Sequence, residues 1–124
     1  MYRTLLLLLA ITASVPVSAE TNDTEHAEIS YLLKQIQTSD CRFNRNGTWH
    51  TAQEAATHLK NKYAYLSEKG LIITAETFIE KAASKSSTSG KPYIVQCGTS
   101  EPIQSSLWFM TELSRYRHAR TTDR

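Results

Sequence analysis

Glu54, His58 and Lys62 recur every fourth residue, so on a helix they stack along one face. A histidine held between a carboxylate and an ammonium is a general base whose pKa its neighbours tune. The same spacing also produces an ordinary ladder of i,i+4 charge pairs, worth about 0.3 kcal/mol each. The chain places no nucleophile beside His58 at the sequence level, which favours the ladder.

A second cluster lies between Ser84 and Pro92. Hydroxyls of Ser86, Ser87, Thr88 and Ser89, the flexible backbone at Gly90 and the charge of Lys91 are suited to an anion or a sugar. The plainer alternative is a polar connection between two elements. The segment lacks the first glycine of a phosphate-binding P-loop, and Pro92 follows its lysine. Thr88 stands three residues before Lys91, so the Ser-x-x-Lys signature of penicillin-binding enzymes fails. Arg45 precedes Asn46-Gly47 but is not needed for a turn there. It is expected either to pair with Glu76 or to face a ligand. His26, His50, His58 and His118 show no metal-ligand spacing, and no cofactor motif is present. No catalytic constellation emerges.

The compartment comes from the start of the chain. Arg3 precedes an apolar run from Leu5 to Val15, Pro16 ends it, and Val17-Ser18-Ala19 offers small residues to a signal peptidase. Residues 1–19 are read as a cleaved export signal, cut between Ala19 and Glu20. Residues 20–124 are read as one small periplasmic domain. The apolar run is short of the roughly 20 residues a membrane-spanning helix needs, and nothing later is more apolar. Loss of Arg3 leaves thirteen Lys and Arg against twelve Asp and Glu, a net charge of +1. So even a balance excludes a dedicated nucleic-acid binder. Arg115, Arg117, Arg120 and Arg124, with His118 among them, form a basic tail, expected to be loose from about residue 117. Cys41 and Cys97, an even pair in an oxidising compartment, are expected to form a structural disulfide.

The elements that must position these groups follow from periodicity. Ile29, Leu32, Leu33 and Ile36 make one stripe of a helix starting near Glu25, with Glu20 to Thr24 loose before it. Cys41 to Arg45 and Thr48 to His50 flank Asn46-Gly47, the dipeptide best suited to a tight hairpin turn. Thr51-Ala52-Gln53-Glu54 has capping-box form and opens a second helix. Thr74 caps a third, with Ala75, Phe78, Ile79 and Ala82 inward. Tyr93 to Cys97 has strand character, and a last helix from about Ser105 to Tyr116 carries Leu107, Phe109, Met110 and Leu113. The class is α+β, with about four helices packed on a small, about three-stranded, antiparallel sheet.

Several motifs occur together in order: Phe43-x-Arg45-Asn46-Gly47, then Glu54-Ala55, His58-Leu59 and Lys62. Ala75-Glu76, Phe78-Ile79 and Ser86-Ser87-x-Ser89-Gly90-Lys91-Pro92-Tyr93 follow. The set resembles the YfeK-like proteins, small exported proteins of Gram-negative bacteria of unknown function. The resemblance spans roughly Glu25 to Cys97 and implies export and an α+β fold, without implying an activity. Its polar residues, with Tyr93, are the candidate binding positions. The leading expectation is a non-catalytic binding, accessory or inhibitor protein of the cell envelope, its partner an envelope protein or a small anionic or sugar ligand. One alternative is a small hydrolase using His58 with Ser86 or Ser87, and another a structural envelope component.

Overall fold

The computed structural model describes residues 10–14 and 19–123. Helix α1 (Ala19–Thr38) leads into a hairpin of β1 (Cys41–Arg45) and β2 (Thr48–Thr51), then α2 (Ala52–Glu68). A short α3 (Ala75–Phe78) passes directly into a π-helical segment, Ile79–Ala83. Strand β3 (Ile94–Cys97), a two-residue β4 (Ile103–Gln104) and α4 (Ser105–Thr122) complete the chain. The strands form one antiparallel sheet in the order β2-β1-β3-β4, so the architecture is α+β as expected.

The sheet has four strands rather than three. Two residues of β4, ending where α4 begins, carry no alternation that distinguishes them from a loop. Helix α1 starts at Ala19, so the stretch expected to be loose before Glu25 is helical in backbone. Asp23 and Glu25 near this end suit the positive pole of the helix, and Glu25 reaches across to accept from the Ala75 backbone N–H at 2.7 Å. Most of the expected export signal, residues 1–9 and 15–18, lies outside the described residues, and 10–14 have no regular structure. No helix among the described residues is long and apolar enough to cross a membrane.

Local chemistry explains the elements. Asn46 and Gly47 have φ of 54° and 86°, the left-handed pair a tight hairpin requires, and the Gly47 N–H donates to the Asn44 side chain at 3.0 Å. Thr51 caps α2 by accepting from the Glu54 N–H at 3.1 Å. The return half of that capping box is absent, because Glu54 is held by His50 and the Thr51 hydroxyl. Thr74 and Thr77 form a reciprocal capping box at α3. The π-helical turn was not legible in sequence. Ser84 closes it by donating its hydroxyl to the Ile79 carbonyl five residues back.

The core lies between the helices and the inner face of the sheet, with α2 contributing Ala55, Ala56 and Leu59. Leu32, Ile36, Ala75, Phe78, Ala82, Val95 and Phe109 are fully buried, and Phe78 meets both Phe109 and Tyr63 edge to face. The expected apolar stripe of α4 needs correction. Phe109 and Leu113 are buried, but Leu107 and Met110 point to solvent. The buried face of α4 runs through Ser105, Phe109, Glu112 and Leu113 instead, so a polar pair takes positions that pattern reasoning gives to apolar residues. The helix also runs on to Thr122 instead of fraying from about residue 117. Arg117 binds both oxygens of the buried Glu28 carboxylate in α1, at 2.6 and 2.9 Å, and a third time reaches Glu76.

On β1, Cys41 and Phe43 face the helices while Arg42 faces out, stacked over Trp49 and bonded to Gln96. Cys41 lies opposite Cys97 on β3, and the two are disulfide-bonded. By the same alternation Arg45, two residues beyond Phe43, falls on the inner face at the far end of the strand.

Candidate functional site

That inner face delivers Arg45 to α2. Its Nη1 stands 2.9 Å from Nδ1 and 3.1 Å from Nε2 of His58. A guanidinium only donates, so the contact is a hydrogen bond only where the ring nitrogen it meets carries no proton, and it favours the neutral imidazole. Burial pushes the His58 pKa below its ordinary 6.5, and the charges of Arg45, Lys62 and His50 push the same way.

One turn along α2, Lys62 donates to the Lys85 carbonyl at 3.0 Å and to the Tyr93 hydroxyl at 3.2 Å. Its ammonium also lies 5.1 Å from the centre of the Tyr93 ring, a cation–π position. Burial, then Arg45, lowers the Lys62 pKa. Burial raises that of Tyr93, against the pull of Arg45. The Tyr93 hydroxyl stands 3.4 Å from His58 Nε2, so Arg45, His58, Tyr93 and Lys62 form one connected row.

Three members of the row, Arg45, His58 and Tyr93, line two cavities. The smaller, about 210 Å³, also has Phe43, Ala55 and Leu59 in its lining. The larger, about 610 Å³, runs along the other side of the row under Asn46, Asn61, Tyr65 and the hydroxyls of Ser86, Ser87 and Thr88. Neither Arg45 nor Lys62 is ion-paired to a carboxylate among the described residues. Glu54 lies at the rim of the smaller cavity, where His50 and Thr51 hold its carboxyl below the usual range.

The expected ladder along α2 does not form. Glu54 takes His50 and Thr51 just before it, while His58 and Lys62 take partners from other parts of the chain, in preference to one another. Arg45 does not pair with Glu76, which lies in α3 and belongs to Arg117. The Arg117 guanidinium holds the Glu76 carboxyl below the usual range.

The serine loop divides by role. Ser86 is buried; its hydroxyl accepts from the Asn46 amide at 3.2 Å and meets Thr88 at 3.0 Å. Ser89 donates to the Asn46 side-chain oxygen Oδ1 and accepts from the Lys91 N–H at 3.2 Å. Gly90, at φ 71°, closes the loop by donating its N–H to the Ser86 carbonyl. Asn46 and Ser89 thus fasten the hairpin turn to the loop, and Ser89, Gly90 and Lys91 do not line the groove. Of the expected positions, Arg45, Asn46, His58, Lys62, Ser86, Ser87 and Tyr93 are brought together, while Glu76, Ser89, Gly90 and Lys91 are not. Asn61 and Tyr65 were missed, though their spacing from His58 on α2 puts them on the same face.

Asp40, Cys41 and Cys97 also bring possible metal-ligand atoms together, but the disulfide consumes both thiols.

Residues 23–117 match a family described as a family of unknown function (DUF5329). The chain belongs to that family. A relative, Uncharacterized protein YfeK of Salmonella typhimurium, is 40% identical over 87 residues, covering 69% of this chain and 71% of that protein. No solved structure matches. The family resemblance seen in the ordered motifs is therefore borne out. The span matched to DUF5329 contains the whole groove, both cysteines and the Glu28–Arg117 pair.

Proposed function

We propose that this protein is an exported, non-catalytic binding protein of the cell envelope, and that the groove between the hairpin, α2 and the serine loop takes an anionic group of its ligand or partner. The observation that carries this reading is the pair Arg45 and Lys62. Both cations face one groove, and neither has a carboxylate partner among the described residues. Like charges in partly buried surroundings raise each other's cost, and an anion placed between them removes it. The serine and asparagine side chains at the edge add neutral donors of the kind that oxyanions and sugars use.

Hydrolysis is the weaker reading. It needs a serine within hydrogen-bond reach of His58, whose ring instead meets Arg45 and Tyr93, while Ser86 is engaged by Asn46 and Thr88. Export is supported by the features of residues 1–19 and by the disulfide, a bond that persists in oxidising compartments.

The test is a titration of the mature chain with sodium sulfate at constant ionic strength, followed by amide NMR. Shifts centred on Arg45, Asn61 and Tyr93, lost in a folded Arg45→Ala, Lys62→Met double variant, are expected. Shifts scattered over the surface, or unchanged in the variant, sink the anion site. The mass of the protein recovered from a periplasmic extract tests export separately, with an N-terminus at Glu20 expected.

A further inference from the structure

The groove has two unlike compartments that share one wall, and this constrains the ligand beyond its charge. The cavity of about 210 Å³ has an apolar floor of Phe43, Ala55 and Leu59. Its lining also includes Arg45, His58 and Tyr93, three of the residues that line the cationic groove beside it, with Glu54 exposed at the rim. A group seated in the cavity therefore has its neighbouring atoms next to the guanidinium of Arg45 and the hydroxyl of Tyr93.

From this arrangement, and on the reading of the groove as an anion site, we infer that the ligand is a small organic phosphate monoester. Its phosphate lies between Arg45 and Lys62, and its apolar group fills the cavity over Leu59.

Charge and donor count favour phosphate over carboxylate. A monoester carries close to two negative charges at neutral pH and above, matching two unpaired cations, whereas a carboxylate leaves one cation uncompensated. Its three free oxygens can accept from Arg45, from Lys62 and from Tyr93, whose hydroxyl already lies 3.2 Å from the ammonium. Lys62 spends two donors on Lys85 and Tyr93, which leaves its third N–H for the ligand. Arg45 makes its protein hydrogen bonds through Nη1, so Nε and Nη2 remain to form a fork on two oxygens.

Size sets the other end. A dry cavity of about 150 Å³ accepts benzene, so this one has room for one ring with a small substituent or a short alkyl group. It cannot swallow an acyl chain, so the group seated in it is a ring or a short alkyl group.

Calorimetry and NMR on the mature protein at pH 8, with phenyl phosphate, inorganic phosphate and benzoate as probes, test this. Phenyl phosphate is expected to bind at least ten-fold more tightly than either of the others. Ala55→Met, which fills the cavity, is expected to erase that advantage while leaving inorganic phosphate unaffected. Should that variant not fold, nuclear Overhauser contacts between the phenyl protons and the Leu59 methyls of the unaltered protein give the same answer. Benzoate binding as tightly as phenyl phosphate, or phenyl phosphate gaining nothing over inorganic phosphate, overturns the inference and leaves the anion groove standing. No response of the groove to any of the three anions overturns both.

Discussion

The guanidinium of Arg45 stands 2.9 Å from the imidazole of His58, so a permanent cation leans on a base whose neutral form suits it better than its charged one. Protonating His58 sets a third positive charge beside Arg45 and Lys62. Stability and anion binding should therefore respond to pH in opposite directions.

For stability, the His58 pKa is lowered in the folded state, first by burial and then by Arg45, Lys62 and His50. Its neutral form contributes fully above the unfolded value near 6.5, and that contribution is lost as pH falls from there through the folded value. Denaturant midpoints measured between pH 7.5 and 5 should fall, and His58→Gln should flatten part of the slope. An identical slope in the variant rejects His58 as the source.

For binding, an anion favours the charged imidazole. Sulfate, which does not titrate in this range, should bind more tightly as pH drops from 8 to 5.5. The His50–Glu54 pair faces the same cavity, so His50→Gln serves as the control that should keep the trend, while His58→Gln should lose it. Calorimetry at four pH values separates the two.

The serine loop separates by role in mutagenesis. Lys91→Ala should leave sulfate affinity unchanged, because Lys91 lies outside the groove. Asn46→Ala should cost about 1–2 kcal/mol of stability, since it breaks the hydrogen bonds that fasten the loop to the turn and leaves the buried Ser86 hydroxyl with one partner fewer. Amide exchange should speed up across residues 86–91 in that variant. Unaltered exchange there shows that the loop holds itself.

Removing Arg117 strands a buried charge. Glu28 is 3% exposed and bonded through both oxygens, so Arg117→Ala should destabilise the protein by on the order of 3 kcal/mol. That is the lower end of the range for buried pairs, because Arg117 itself remains partly in water. Adding Glu28→Gln should recover part of the loss in chemical denaturation. No recovery means that the Arg117 stem, rather than its charge, does the stabilising.

Cutting the Cys41–Cys97 bond should lower stability by about 4 kcal/mol in the chain-entropy model, given a separation of 56 residues. The cysteine sits at one end of β1 and Arg45 at the other, roughly 13 Å away along the strand. Sulfate affinity should survive in a Cys41→Ala, Cys97→Ala variant held below its melting temperature. Loss of binding by the folded variant shows that the bridge shapes the groove as well as the fold.

Much of this molecule was legible in its sequence because the relevant forces are local. The α1 stripe, the Asn46-Gly47 turn and the caps at Thr51 and Thr74 each follow from spacing or backbone preference within a few residues. Arg45 could have been aimed correctly too, since Phe43 is plainly inward and the strand period is two. Elsewhere, distant partners outcompeted near ones. Lys62 had Glu54 and His58 on its own helix face, yet it binds a carbonyl 23 residues away. Leu107 and Met110 look like core by type, but α4 turns Glu112 and Ser105 inward, and only its packing against α1, the π-helical segment and the sheet decides that rotation.

The tie between Glu28 and Arg117 also bears on the order of events during biogenesis. The two residues are 89 positions apart, with the acid near the front of the chain and its counter-charge near the end. Until α4 emerges, the amino-terminal part must keep Glu28 in water and also lacks Phe109, which fills the middle of the core. A chain without α4 is therefore expected to fall short of this fold, however early its first residues are made.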